Sequence, residues 1–79
     1  MSAERLRLKE STSIAAAAYD SGHGTLRVSF RPGWGAQRGG TYDYYGVPES
    51  VVRQFLRAES LGRFVNGQIK PRYPYKKVG

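Results

Sequence analysis

The sequence predicts an α+β domain: a small three-stranded antiparallel meander covered on one face by a helix, with a short second helix and a C-terminal edge strand or tail. Three observations carry this. Leu26, Val28 and Phe30 alternate with Arg27, Ser29 and Arg31, the period of a strand that buries one face and wets the other. After Pro48 the large apolar residues fall at Val51, Val52, Phe55 and Leu56, a one-sided helical stripe opposite Glu49, Arg53, Gln54 and Arg57. Between the two lies Tyr42-Asp43-Tyr44-Tyr45-Gly46-Val47-Pro48, where aromatic strand formers give way to a proline suited to the first helical position.

Taken in order, residues 1–12 carry Glu4, Arg5, Arg7, Lys9 and Glu10 around only Leu6 and Leu8, which reads as a flexible arm or a short edge strand ahead of a single domain over 13–79. Ser13 to Asp20 is apolar without helical period, and Asp20-Ser21-Gly22-His23-Gly24 is a turn. A hairpin from Ser13 to Arg31 follows. Arg31 to Gly40 is rich in glycine, contains Pro32 and holds the only Trp, Trp34, between Arg31 and Arg38; it reads as a long loop. Thr41 to Tyr45 is the third strand, and the helix runs from about Pro48 to Glu59. Leu61, Phe64, Val65 and Ile69 keep helical spacing, but Gly62 and Gly67 shorten what they can hold. Lys70-Pro71-Arg72 breaks the chain again, and Pro74 confines Tyr73 to Val78 to an edge.

The bulk properties narrow the function. A chain of 79 residues is one domain with modest burial, so a monomer or a weak dimer is expected. There is no Cys, which excludes disulfides and thiolate chemistry and fits a reducing cytoplasm. No apolar run approaches the ~20 residues of a membrane span. Against 6 Asp and Glu stand 13 Lys and Arg, a formal net charge of +7, so the leading partners are nucleic acid, with RNA favoured, or an acidic host protein.

Ser13-Ile14, Tyr19-Asp20, Leu26-x-Val28-x-Phe30, Tyr42-x-Tyr44-x-x-Val47-Pro48, Phe55, Ala58, Ser60-x-Gly62-x-Phe64-x-Asn66-x-x-Ile69 and Tyr73-x-Tyr75 together resemble the KTSC domain, the lysyl-tRNA synthetase C-terminal-type domain, in its stand-alone form. The resemblance covers about Ser13 to Val78. It implies a small α+β fold with a YxY motif at Tyr42 and Tyr44, a role in RNA binding, and no enzyme activity or cofactor. The chain departs from the pattern between Phe30 and Tyr42, where the loop with Trp34 is several residues longer.

No catalytic or metal-binding constellation is legible. His23 is the only imidazole and has no second His or Cys to share a metal with, and no motif places a base beside Ser50 or Ser60. Gly33-Trp34-Gly35 and Gly39-Gly40 lack the spacing of a phosphate-binding loop. What remains is cations interleaved with rings. Arg27, Arg31, Arg53, Arg57, Lys70, Arg72, Lys76 and Lys77 are the expected phosphate contacts, with Tyr73 and Tyr75 available to stack bases. Tyr42 and Tyr44 share a strand face and are expected in the core. The alternative is a protein-interaction factor, for instance a phage modulator of a host enzyme, docking on an acidic protein through Trp34, Arg38 and Tyr45.

Overall fold

The computed structural model describes residues 4–9, 13–32 and 39–79. Strands β1 (Glu4–Arg5), β2 (Ile14–Asp20), β3 (Thr25–Phe30), β4 (Gly40–Tyr44) and β5 (Tyr75–Lys77) form one antiparallel sheet in chain order. The α+β class stands, but the meander has five strands, not three. Each addition is short and sits at an edge, where pairing supplied by a neighbour outweighs weak local signal. Of the two alternatives for the N-terminal segment, the edge strand is realised. Leu6 N–H donates to the Ala17 carbonyl, and Leu6 and Leu8 pack on the core, so these residues belong to the sheet and not to a free arm.

Helix α1 (Glu49–Arg57) starts one residue later than expected. Pro48 is its extended N-cap residue, and the Pro48 carbonyl accepts from the amides of Val51 and Val52. Val52 and Phe55 are buried, Val51 and Leu56 half-buried, and Arg53, Gln54 and Arg57 exposed, as the stripe requires. Helix α2 (Leu61–Phe64) is capped by Ser60, whose hydroxyl accepts from the Arg63 amide at 3.3 Å, and it widens into a π turn over Val65–Ile69. Val65 and Ile69, four residues apart on one face of that turn, are both fully buried. Gly62 lies against Ser13; a Cβ there would run into the Ser13 side chain, so the helix sits closer to β2 than any other residue would allow.

The core is Ile14, Ala17, Tyr19, Leu26, Val28, Tyr44, Val47, Val52, Phe55, Leu61, Val65 and Ile69, all on the face that the helices cover. One corner is clamped. Gly24, at φ +68°, carries the β2–β3 turn, its carbonyl accepts from the Val47 amide at 2.8 Å, and the Tyr19 hydroxyl donates to the Val47 carbonyl at 2.6 Å. Both peptide groups of a buried Val47 are thereby satisfied, which fixes where β4 turns into α1.

Candidate nucleic-acid interface

The sheet has one covered face and one bare face, and the register defines what the bare face presents. Arg5 pairs with Ala18, Ala18 with Arg27, Arg27 with Asp43 and Asp43 with Lys76, so one row crosses all five strands. A parallel row holds Ala16, Ser29 and Thr41, in which the Ser29 and Thr41 hydroxyls bond at 3.0 Å. Small side chains on β2 leave a shallow trough of about 210 Å3 between Arg5 and Arg27, floored by Ala16, Ala18 and Ser29.

Arg27 is the fixed point of this face. Its Nε and Nη2 donate to the two carboxylate oxygens of Asp43 at 2.7 and 2.9 Å, a bidentate pair that holds the guanidinium upright and leaves Nη1 outside the pair. The Asp43 carboxylate raises the guanidinium pKa further, so this charge is permanent. Beyond Arg27 lies a second depression of about 370 Å3, lined by Asp20, His23, Thr25, Arg27, Asp43 and Tyr45. In it His23 Nδ1 and Asp20 Oδ2 meet at 2.9 Å, and that hydrogen bond is the main reason the Asp20 carboxyl lies below its ordinary range. Tyr45 is 37% exposed at the rim.

The expected phosphate contacts do not converge. Arg27 and Lys76 share the bare face, and Arg31 follows the end of β3, exposed, with its amide donating to the Ser13 carbonyl. Arg53 and Arg57 stand on the far side of the molecule, because a helix that buries Val52 and Phe55 against the sheet aims its polar side away from the sheet's bare face. Lys70, Arg72, Tyr73, Tyr75 and Lys77 form a third group at the β5 edge. There Tyr75 pairs with Tyr44 and Lys77 with Tyr42, so both point to the covered face, and Lys70 Nζ lies 5.8 Å from the Tyr75 ring centroid. A single surface carrying all of these cations is therefore corrected to three separate ones.

The rings divide as well. Tyr44 is buried and Tyr42 half-buried; with Phe30 and Tyr75 they make a chain of ring contacts with centroids 5.5–6.5 Å apart. The Tyr44 hydroxyl is pushed up to about 12, chiefly by burial and then by Tyr42 and Tyr75. Tyr73 is half-buried, and Tyr75, 44% exposed, is the most open ring of the cluster. Trp34 and Arg38 lie outside the described residues. Sequence reasoning passed over Arg5 as a member of the bare face and Asp43 as the partner of Arg27. The signal for Arg5 was the alternation Arg5-Leu6-Arg7-Leu8-Lys9; for Asp43 it was the polar residue between Tyr42 and Tyr44, which had to face away from the core.

This architecture defines a class: a two-layer α+β domain with one antiparallel sheet, helices on one face and a basic, open second face. Within it, the chain belongs to the KTSC domain family, whose model matches residues 10–73. It is 47% identical over 64 residues to a protein of Tsukamurella paurometabola, spanning 81% of this chain and 87% of that one. A protein of Stutzerimonas stutzeri is 36% identical over 70 residues, covering 87% of this chain and 90% of its own length. The crystal structure of a KTSC domain protein from Yersinia pestis superimposes with a TM-score of 0.81 at 35% identity, covering 99% of this chain and all of that one. Among the described residues no helix is long and apolar enough to cross a membrane, and no cluster of His, Asp or Glu could hold a metal ion.

Proposed function

We propose that this domain is a non-enzymatic module that binds nucleic acid, RNA in preference, across the bare face of its sheet. The observation that carries the reading is the row Arg5–Ala18–Arg27–Asp43–Lys76, which places cations at both edges and in the middle of a face that no helix among the described residues covers. Phosphates would meet Arg5, Arg27, Arg31 and Lys76, and Tyr45 offers a ring to an unstacked base at one end. An open sheet face with small residues between its charges suits a single strand whose bases lie down on it. Asp43 lowers the net charge of the row but contributes geometry, since a clamped guanidinium gives up less side-chain freedom on meeting a phosphate. The net charge of +7 adds long-range attraction, and a chain without cysteine fits the reducing cytoplasm in which RNA is met. The domain acts as a monomer or weak dimer and uses no cofactor.

The test is a polarisation titration of a labelled single-stranded RNA at low salt, with micromolar or tighter binding that weakens steeply as salt rises. Arg5→Glu with Lys76→Glu should weaken binding by about tenfold or more, while Arg53→Glu with Arg57→Glu, equal in net charge change but on the far side, should cost less than about threefold. Equal losses from the two pairs would mean that only net charge matters, and no binding to any RNA or DNA would end the reading.

A further inference from the structure

We infer that the free edge of β5 accepts an added β-strand from an extended acidic polypeptide. The site is an edge of the sheet, not its bare face, although Lys76 borders both, and β5 itself lies beyond residues 10–73 that the family model matches. β5 is the last strand of the sheet, so among the described residues its outer side has no strand partner. Which backbone groups it offers follows from the ladder. Tyr45 N–H donates to the Pro74 carbonyl at one end, and Val78 and Gly79 N–H donate to the Thr41 carbonyl at the other. Antiparallel ladders alternate bonded and unbonded pairs, so the pair between them that bonds inward is Asp43 with Lys76. The N–H and C=O of Tyr75 and Lys77 are therefore directed outward, away from β4.

Alternating donors and acceptors at strand spacing match another polypeptide strand and little else. A phosphate backbone offers acceptors only and would meet the two outward carbonyls with repulsion. The side chains then specify the charge of that strand. From Ser60 to Gly79 there is no Asp or Glu, whereas Arg63, Lys70, Arg72, Lys76 and Lys77 all fall there. On the bare side of β5 stands Lys76; on the helix side stand the Tyr75 ring, with Lys70 over it, and Lys77. A strand with carboxylates beside Lys76 and apolar side chains beside Tyr75 satisfies both sides. A second copy of this chain fits worse, because two-fold pairing about residue 76 sets Lys76 against its own equivalent, and lysines at an edge are a known deterrent to such pairing.

The test titrates a fluorescein-labelled, capped alternating Glu-Val octapeptide into the whole chain, with an alternating Lys-Val octapeptide as control. Saturable binding of the acidic peptide alone is expected. Lys77→Gln, which removes the charge, should weaken it by about threefold, whereas Lys77→Pro, which removes an outward N–H that β4 does not use, should weaken it by about tenfold or more. An acidic peptide N-methylated at alternate residues tests the same ladder with the protein unaltered, so that a misfolded proline variant cannot mislead, and should also lose about tenfold. Arg5→Glu, on the opposite edge, should leave peptide binding within about twofold even though it weakens RNA binding, which separates this site from the sheet-face reading. Four results would overturn the inference: equal affinity for Lys77→Gln and Lys77→Pro, full affinity of the N-methylated peptide, equal binding of the Lys-Val peptide, or self-association through this edge at lower concentration than peptide binding.

Discussion

The two faces of the sheet are made by the same strands and obey opposite rules. On the covered face Leu26, Val28, Tyr44, Phe55, Val65 and Ile69 interlock with essentially no solvent contact. On the bare face the same strands present Ala16, Ala18, Ser29, Arg27 and Lys76, and among the described residues no helix lies over them. Period-two alternation assigns each residue to one role only, so stability is stored on one side and the other is left to choose its partners. The comparison teaches that substitutions should divide by parity along β3 and β4, not by distance from the molecule's centre.

The hardest blow to that division is Phe55→Ala. Phe55 is fully buried, in ring contact with Phe64 at 6.1 Å, and it is the largest side chain pressing α1 onto the sheet. Truncating it removes the transfer free energy and leaves a cavity, about 3–5 kcal/mol together, a large part of the stability of a domain this small. Urea unfolding followed by circular dichroism should show the midpoint falling far or the transition disappearing at room temperature. A loss below about 1 kcal/mol would mean that the helix does not seal this face.

A gentler way to break the covered face is alkali. Tyr44 ionises at about 12 in the fold, against its ordinary 10.0, because burial and the neighbouring Tyr42 and Tyr75 disfavour the phenolate. A raised folded-state value means that the neutral form is the one the fold prefers. The contribution is fully present below pH 10 and is lost as pH rises from there through about 12, at most about 3 kcal/mol. Tyr19 shifts in the same direction, also first through burial, and adds to the same limb. Denaturant midpoints measured up to high pH, beside tyrosinate absorbance, should fall more shallowly in Tyr44→Phe than in the parent chain; superimposable limbs would show that Tyr44 does not carry it.

The parity rule also explains what the sequence made legible. β3 alternates cleanly and α1 has a one-sided stripe, so both are readable from local pattern. β2 is not, because the ladder shifts register between Ile14 and Ala16, and that bulge lets Ile14 and Ala17, of opposite parity, both face the core. β1 and β5 are short enough that their pairing, and not their composition, makes them strands. For the site, residue type singled out Arg27 and Lys76, but only the register aligns them with Arg5 across β2, whose alanines carry no functional signal. The separation of Arg53 and Arg57 from that row was implicit in a helix lying on one face. Charge alone groups these arginines with Arg27, whereas the layer each one occupies separates them.

The smallest expected effects come from two ion pairs on opposite sides of the molecule, and they sharpen the comparison because their chemistry is similar and their settings differ. Glu49 and Arg53 are one helical turn apart, 3.8 Å at closest approach, with both side chains well exposed. Such a pair gains little in high dielectric and must restrain two long side chains, so Glu49→Gln should change stability by about 0.3 kcal/mol or less. Arg27 and Asp43 form two short bonds, and the Asp43 side chain is only 9% exposed although that of Arg27 is 53% exposed. Here Arg27→Ala strips a nearly buried carboxylate of its partner, while water reaching the open side of Arg27 can replace part of the loss, so about 1 kcal/mol is expected. The ordering is decided by the burial of the acid, not by the number of charges. Parallel urea titrations of the two variants at low and high salt should therefore give a larger and less salt-sensitive loss for Arg27→Ala. Equal and salt-erased losses would show that the bare face holds its arginine no more firmly than the helix does, and the clamped guanidinium on which the nucleic-acid reading leans would lose its geometric advantage.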